Sequence, residues 1–181
     1  MPSQADSLYQ MANGLAYIHS RGLVHRDIKE DNVLIYKSPE DHTWLKISDF
    51  GLCKPTSASG SYSMRSGVKG NQKFFSPELL ELADQQAKSS TSIAHQRSNV
   101  SSDVFALGCL FHSYLTKGKH PFSDSRGSFF IPVNVLEGKS NLDGKSRPYQ
   151  NHFNKFQSVN NFTNRANQPG FPIHYQRNDS F

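Results

Sequence analysis

Apolar residues recur at helical spacing near the start of the chain. The repeating positions are Leu8, Met11, Leu15 and Ile18. Because they lie three or four residues apart, they would share one face of a helix, and the pattern predicts an amphipathic helix over residues 4–20. Gly22 follows, as expected just after the end of a helix.

Three further apolar runs predict the remaining regular structure. Residues 33–36 and 45–47 are short, rich in β-forming residues and separated by a polar turn, so they predict a small β-hairpin. Residues 103–115 are apolar on nearly every side, which predicts a buried helix. The fold class predicted from these elements is mainly α with a small β-hairpin, an α+β arrangement.

The polar stretches between these elements differ in composition. Residues 51–78 are rich in Ser and Gly, whereas residues 85–102 are rich in Ser and Gln and are expected to be a surface loop. Residues 145–181 contain many Asn and Gln and seven aromatic residues without any periodicity. We therefore expect one folded domain over residues 1–144, followed by a disordered tail.

Charge is distributed unevenly along the chain. Of the net charge of +5, residues 1–143 contribute +1, from 15 Lys and Arg against 14 Asp and Glu, and residues 144–181 contribute +4, from 5 against 1. Basic residues interleaved with aromatic ones are typical of proteins that bind single-stranded nucleic acid. The Asn- and Gln-rich composition favours disorder over nucleic-acid binding as the interpretation of this tail.

Cysteine content and hydropathy indicate the compartment. Cys53 and Cys109 lie in apolar segments without metal-ligand spacing, so they are expected to be buried free thiols in a reducing compartment. The longest apolar run, residues 104–111, is far shorter than a membrane span, and no signal peptide opens the sequence. We expect a soluble, intracellular polypeptide without a membrane segment.

The residues with catalytic chemistry lie on both sides of the predicted hairpin. Residues 25–32 read His-Arg-Asp-Ile-Lys-Glu-Asp-Asn, and residues 49–51 read Asp-Phe-Gly. Phosphoryl transfer needs a carboxylate to accept the proton of the attacking hydroxyl, a cation near the transferred phosphate and oxygen ligands for magnesium. These two segments supply all three kinds of group.

Both segments resemble the catalytic loop and the metal-binding triplet of the eukaryotic protein kinases. The resemblance implies that Asp27 is the catalytic base and that Lys29 contacts the γ-phosphate of ATP. It also implies that Asn32 and Asp49 bind Mg²⁺. A lysine two residues after the catalytic aspartate is typical of the serine/threonine kinases.

The same resemblance implies structural roles for three further residues of these elements. His25 and Gly51 complete the two motifs. Asp103, at the start of the predicted buried helix, is expected to accept hydrogen bonds from the backbone near His25 and Arg26. Such bonds would hold the catalytic loop in place.

Residues 51–78 correspond, by this resemblance, to a kinase activation segment. The segment ends in Ser-Pro-Glu, and Glu78 of that triplet is expected to pair with an arginine, for which Arg147 and Arg165 are the candidates. Asn71 takes the position where serine/threonine kinases usually have a threonine that bonds the catalytic aspartate. Asn is a longer hydrogen-bond donor than Thr, so this position departs from the family pattern.

Regulation of the segment is expected to depend on phosphoserine. In kinases of this type the arginine before the catalytic aspartate, here Arg26, pairs with a phosphorylated side chain of the activation segment and orders it. The candidate phosphorylation sites are Ser61, Ser63 and Ser66.

Within the kinases, the chain is most similar to the inositol-requiring enzyme family. The similar segments are residues 49–54, 61–68, 102–111 and 120–122. Members of that family are endoplasmic-reticulum stress sensors that combine a kinase with a C-terminal endoribonuclease. The resemblance covers roughly residues 5–144, and it implies phosphate transfer to activation-segment serines of a second copy, on the cytosolic face of the endoplasmic reticulum, in the unfolded-protein response.

Several parts of a complete kinase are not found in the 181 residues. A Gly-rich loop, a strand lysine and its partner helix glutamate are missing, and no ribonuclease segment is recognised. The chain is therefore expected to be an incomplete large lobe with weak affinity for ATP. The alternative function is a catalytically inert lobe that serves as an interaction or dimerisation module for other kinases.

Overall fold

The computed structural model describes residues 2–88 and 93–142, which all belong to the first of two units, residues 1–143. Within these residues the helices are α1 (Gln4–Ser20), α2 (Pro77–Lys88), α3 (Ser101–Leu115) and α4 (Ile131–Leu136). The strands are β1 (Leu23–Val24), β2 (Val33–Lys37), β3 (Thr43–Ile47), β4 (Lys54–Pro55), β5 (Ser61–Ser63) and β6 (Arg97–Asn99). The mainly α fold class with a small hairpin is confirmed, and the predicted tail, 145–181, lies outside the described residues.

Helix α1 has the bounds that the apolar spacing predicts. The hydroxyl oxygen of Ser3 caps its start by accepting a hydrogen bond from the amide of Asp6 at 3.1 Å. Its buried residues are Ser7, Met11, Leu15 and Ile18. Gly22 follows its end with φ of +69°, a conformation that glycine adopts without strain, and its amide donates to the carbonyl of His19 at 2.9 Å.

Strands β2 and β3 form the predicted antiparallel hairpin. Their register places Val33 opposite Ile47 and Lys37 opposite Thr43. At the open end, the amide of Ser48 donates to the carbonyl of Asn32 at 2.9 Å. The hairpin therefore brings the end of segment 25–32 next to the start of segment 49–51.

One side of the hairpin packs on α1, and the other side is exposed. Gln10 of α1 accepts a hydrogen bond from the amide of Leu45 at 2.7 Å, which satisfies an edge group of β3. The exposed apolar side chains of this region, each 45–60% accessible, are Leu34, Ile35, Tyr36, Trp44 and Phe50. A cavity of about 320 Å³ lies between the hairpin, α1 and α3, and its apolar lining includes Met11 and Leu110.

Helix α3 is the central buried helix that the sequence predicts, starting two residues earlier than expected. Its buried residues are Ser102, Asp103, Ala106, Leu107, Cys109, Leu110, Phe111 and Ser113. Cys109 is a buried free thiol as predicted, but Cys53 is only half-buried. Burial raises the pKa of Cys109 to about 12 and that of Cys53 to about 11, so both thiols stay protonated at neutral pH.

The described parts of residues 85–102, which are 85–88 and 93–102, contain more regular structure than the surface loop that the composition predicts. Residues 85–88 belong to α2, residues 97–99 form β6, and Ile93 is buried in the same apolar cluster as Tyr62 and Leu79. The physical reason is strand pairing, because β6 lies antiparallel to β5 and satisfies its backbone groups. The stretch therefore stabilises the segment that precedes α2.

A helix that crosses a membrane must be long and apolar enough to span the hydrocarbon core of the bilayer. Among residues 2–88 and 93–142, none of the helices combines the length and the apolar character required to cross a membrane.

Two matched substitutions test the packing of residue 93. Ile93→Ala removes a side chain that is 7% exposed, and we expect the free energy of unfolding in urea to fall by about 2–4 kcal/mol. Ile35→Ala removes the same atoms at a site that is 60% exposed, and a loss below about 1 kcal/mol is expected. Equal losses for the two variants would contradict the burial of Ile93.

Candidate active site

The carboxylate of Asp103 fixes the backbone of segment 25–32. It is 2% exposed, and it accepts hydrogen bonds from the amide of His25 to Oδ2 and from the amide of Arg26 to Oδ1, both at 2.8 Å. His19, in the last turn of α1, contacts Oδ2 through Nε2 at 2.9 Å. Asp103 therefore joins the end of α1, the loop and the start of α3.

The loop has a strained position at Arg26, whose φ is +74°. For a residue with a side chain this left-handed conformation costs on the order of 1–3 kcal/mol. The His25 ring supports the bend from the other side, since its Nε2 donates to the carbonyl of Ser48 at 3.0 Å and its Nδ1 accepts from the amide of Asp27 at 3.3 Å.

Asp27 lies at the centre of a group of polar side chains. Its Oδ2 accepts hydrogen bonds from Nζ of Lys29 at 2.7 Å and from Nδ2 of Asn32 at 3.0 Å. Asn32 Nδ2 also donates to the backbone carbonyl of Asp27 at 2.7 Å, which fixes the distance between the two residues. Among the described residues none donates to Oδ1 of Asp27, so this oxygen is available to accept a proton.

Lys29 is held as a cation by the carboxylates around it. Its hydrogen bond to Asp27 raises the pKa of the ammonium group above its usual value, and burial acts in the opposite direction. The negative charges of Asp31 and Asp49 raise it further. The negative charges of Asp27 and Asp49 both act on Lys29. Segment 25–32 and segment 49–51 therefore share one electrostatic environment.

Asp49 adopts a left-handed conformation with φ of +61° and is exposed. Its Oδ1 accepts a hydrogen bond from the amide of Gly51 at 3.2 Å, and a Cβ at position 51 would lie 3.2 Å from that same oxygen. The ring of Phe50 lies edge-on to the ring of His25, with 5.4 Å between the two ring centres. Gly51 thus leaves room for the Asp49 carboxylate, which points away from the packed interior.

The donor set formed by Asn32 and Asp49 fits a magnesium ion. The amide nitrogen of Asn32 is engaged by Asp27, which leaves its carbonyl oxygen as a ligand, and Asp49 offers a carboxylate. Magnesium prefers such oxygens and usually takes its other ligands from water and substrate phosphates. In residues 2–88 and 93–142, no three His, Cys, Asp or Glu side chains gather as a metal site, so water and phosphate would complete the coordination.

The predicted regulatory residues are only partly brought together. The guanidinium of Arg26, 8% exposed, donates to the carbonyls of Gly67 at 3.2 Å and Leu52 at 3.4 Å and lies over the ring of Tyr62. Ser66 precedes Gly67 on an exposed turn. The hydrogen bonds of Arg26 go to backbone carbonyls and not to the hydroxyl of any of the three predicted serines.

The remaining sequence-predicted positions lie around the start of α2. Asn71 caps a short 3-10 turn, since its Oδ1 accepts from the amide of Lys73 at 3.1 Å, and no contact with Asp27 is formed within the described residues. Glu78 is exposed in the first turn of α2, where a carboxylate complements the helix dipole. Its candidate partners, Arg147 and Arg165, lie outside the described residues.

Gly70 is a site residue that the sequence analysis did not identify. It has φ of +117°, and a Cβ there would lie 2.4 Å from the backbone oxygen of Arg26. In a Ser- and Gly-rich stretch this glycine reads as part of a flexible linker. Its close approach to the strained residue of the loop shows that position 70 requires a glycine.

Comparison with known proteins gives one family and a set of relatives. The family model of the protein kinase domain matches residues 3–163. A human serine/threonine-protein kinase/endoribonuclease, IRE2, is 37% identical over 134 residues, which are 72% of this chain. The kinase/endoribonuclease ire-1 of Caenorhabditis elegans is 37% identical over 76% of the chain, and the sensor for unfolded proteins in the ER, ire1, of Schizosaccharomyces pombe is 40% identical over 72%.

These relatives are much longer proteins. The matched part of this chain spans 13% of the length of each of the three. Their similarity confirms the resemblance to the inositol-requiring family that the motifs indicate.

The role of Asp103 in holding the loop can be tested with an isosteric change. Asp103→Asn replaces one acceptor oxygen by a donor that faces backbone amides, and we expect the free energy of unfolding to fall by about 2–4 kcal/mol. Asp84→Asn, at an exposed ion pair with Lys88, is the matched control and is expected to cost less than about 1 kcal/mol. A cost for Asp103→Asn no larger than the control would remove Asp103 as the anchor of the loop.

The close approach of Gly70 can be separated from the cost of its backbone conformation. Gly118 also has a positive φ, +99°, but nothing lies within 4 Å of a Cβ built there. Gly118→Ala is expected to cost about 1–2 kcal/mol, and Gly70→Ala clearly more, because only the latter collides with Arg26. The measurement is chemical denaturation, with the amide resonance of Arg26 as a local probe that should shift only in Gly70→Ala.

Proposed function

This chain belongs to the protein kinase domain family, and from that membership we propose that it carries the large-lobe half of a serine/threonine kinase site, which transfers the γ-phosphate of ATP to a serine hydroxyl. The observation that carries the proposal is the arrangement around Asp27. One carboxylate oxygen is held by Lys29 and Asn32, and the other receives no hydrogen bond from the described residues, so it could accept the proton of a substrate hydroxyl.

The proposed reaction assigns a step to each side chain. The oxygen of the substrate hydroxyl forms a bond to the γ-phosphorus, the bond from that phosphorus to the bridging oxygen of ADP breaks, and Asp27 accepts the hydroxyl proton. Lys29, kept cationic by its carboxylate neighbours, attracts the transferred phosphoryl group. Asn32 and Asp49 would hold magnesium, which when bound neutralises charge on the phosphate oxygens.

The substrate and the setting follow from the relatives and remain part of the proposal. We propose that the acceptor hydroxyls are Ser61, Ser63 and Ser66 of a second copy, because Ser61 and Ser63 are partly exposed on β5 and Ser66 lies on the exposed turn that follows. The names of the relatives, one of which is a sensor for unfolded proteins in the ER, support a place in endoplasmic-reticulum stress signalling, on the cytosolic face of that membrane.

A second candidate function is favoured by the exposed apolar surface. Ile35, which is 60% accessible, and the cavity of about 320 Å³ that it lines with Leu45 and Leu110 form an apolar surface that another protein segment would cover. A chain that uses this surface without phosphate transfer would be an inert interaction module for other kinases.

A phosphotransfer assay distinguishes the two functions. The 181-residue chain is mixed with ATP, magnesium and a tagged recipient copy that carries Asp27→Asn, and the phosphate on the serines of the recipient is measured by mass spectrometry. Because the affinity for ATP is expected to be weak, ATP is supplied in large excess, and we expect slow transfer by the unsubstituted chain. We expect a loss of about 100-fold or more when the donor also carries Asp27→Asn, and no loss for Asp41→Asn on the exposed hairpin turn.

The contrary outcomes are equally clear. Transfer that survives Asp27→Asn in the donor would refute the role of Asp27. Absence of transfer by the unsubstituted chain, together with its retention on an immobilised full-length kinase, would favour the interaction module.

A further inference from the structure

The β5–β6 ladder presents a polar outer face that the sequence motifs do not explain. Its register pairs Ser61 with Asn99, Tyr62 with Ser98 and Ser63 with Arg97. Successive side chains of a strand point to opposite faces, and Tyr62 is 1% exposed. The side chains of Ser61, Ser63, Arg97 and Asn99 therefore share the face that points away from the apolar core.

Arg97 already binds Ser61 on this face. Its Nε donates to the hydroxyl oxygen of Ser61 at 3.0 Å, and its terminal nitrogen donates to the carbonyl of the same residue at 3.0 Å. The side chain is exposed, and none of the ion pairs among residues 2–88 and 93–142 includes it. Within the part of the chain that the structure describes, Arg97 is thus a cation without a carboxylate partner, positioned at a serine hydroxyl.

Two further hydroxyl groups converge on the same point. Ser57 Oγ lies 2.9 Å from both Ser59 Oγ and Ser61 Oγ. The amide of Ser57 donates to the carbonyl of Ser61 at 2.8 Å, which holds the turn between them closed. A phosphate on Ser61 would therefore have a guanidinium and two hydroxyl donors close by, without any rearrangement of the backbone.

Arg26 is not placed to serve this serine. Its guanidinium lies over the ring of Tyr62, at 5.6 Å from the ring centre, and Tyr62 points to the opposite face of β5 from Ser61. Its donors are directed at the carbonyls of Leu52 and Gly67. The strand itself therefore separates Arg26 from the outer face.

We propose that Arg97 is the phosphate-binding residue for phosphoserine at position 61, and that phosphorylation there fastens β6 to β5. This proposal rests on the proposed function only for the source of the phosphate. In that reaction the Ser61 oxygen bonds to the γ-phosphorus of ATP and ADP leaves. The hydroxyl proton passes to Asp27 of the transferring copy. The phosphate dianion then accepts charge-assisted hydrogen bonds from the guanidinium of Arg97. These bonds are stronger than the one that the neutral Ser61 hydroxyl accepts from the same group.

The test uses the full 181-residue chain with phosphoserine incorporated at position 61 during translation, so that its result does not depend on the phosphotransfer activity of the chain. The second pKa of the phosphate is followed by ³¹P NMR. A neighbouring guanidinium favours the dianion and lowers this pKa, so Arg97→Gln is expected to raise it by about half a unit. Arg97→Lys keeps the charge but loses the two-donor geometry, and an intermediate value is expected.

A second phosphoserine position provides the matched control. In a chain with phosphoserine at position 66, on the turn closed by the hydrogen bond from the Gly67 amide to the Met64 carbonyl, Arg97→Gln is expected to leave the phosphate pKa unchanged. Hydrogen exchange of the β5 and β6 amides gives a second readout. Phosphate at 61 should slow exchange several-fold with Arg97 present and not in Arg97→Gln.

Two results would overturn the assignment. One is a pKa for phosphoserine 61 that is the same with Arg97 and with Gln. The other is an equal shift at position 66, which would indicate a general charge effect of Arg97. The expected shift at 61 alone, found in a chain that shows no phosphotransfer, would support the phosphate site while refuting the catalytic proposal.

Discussion

The hydrogen bonds of one buried carboxylate determine the conformation of the candidate site. Asp103 accepts from two successive backbone amides and contacts the imidazole of His19, and these contacts offset the cost of placing a charged group in the interior. The loop keeps a left-handed residue at position 26 because this carboxylate fixes the amides of His25 and Arg26, while the His25 ring accepts a hydrogen bond from the amide of Asp27. The orientation of Asp27 depends on that bend, and so does its contact with Lys29 and Asn32.

Arg26 extends this constraint to the following segment. The amide of Arg26 donates to Asp103, and its carbonyl oxygen lies close to Gly70. Its guanidinium donates to the carbonyls of Leu52 and Gly67. Two distant parts of the segment between residues 49–51 and α2, at Leu52 and at Gly67, therefore contact a single residue of the loop 25–32. A change in the conformation of that segment would be transmitted directly to the neighbour of the proposed base.

The elements that the sequence predicted are those that local pattern determines. The spacing of Met11, Leu15 and Ile18 is sufficient for α1, and the apolar residues of α3 leave no polar face, so both helices could be inferred without knowledge of their partners. The proposed catalytic residues were chosen because their types and spacing match those that phosphoryl transfer requires. Local pattern predicts little where contacts join distant parts of the chain.

Strand β6 illustrates that limit. Arg97, Ser98 and Asn99 have no alternation of apolar and polar residues, and they form a strand because β5, more than thirty positions earlier, offers unpaired backbone groups. Gly70 was not identified for a related reason, since a glycine that avoids a collision cannot be told from a flexible one until the contacting atom is known. The hydrogen bonds of the Arg26 guanidinium to backbone carbonyls likewise cannot be inferred from the sequence motif that contains this residue.

The distance along the chain between the loop and its anchor has a consequence for biosynthesis. His25 and Asp103 are separated by 78 positions, so residues 25–32 leave the ribosome long before the carboxylate that shapes them has been translated. Closing a loop of that length must precede any gain from the bonds it permits. The nascent chain would therefore carry α1 and the hairpin first, with the catalytic residues remaining unstructured until α3 emerges.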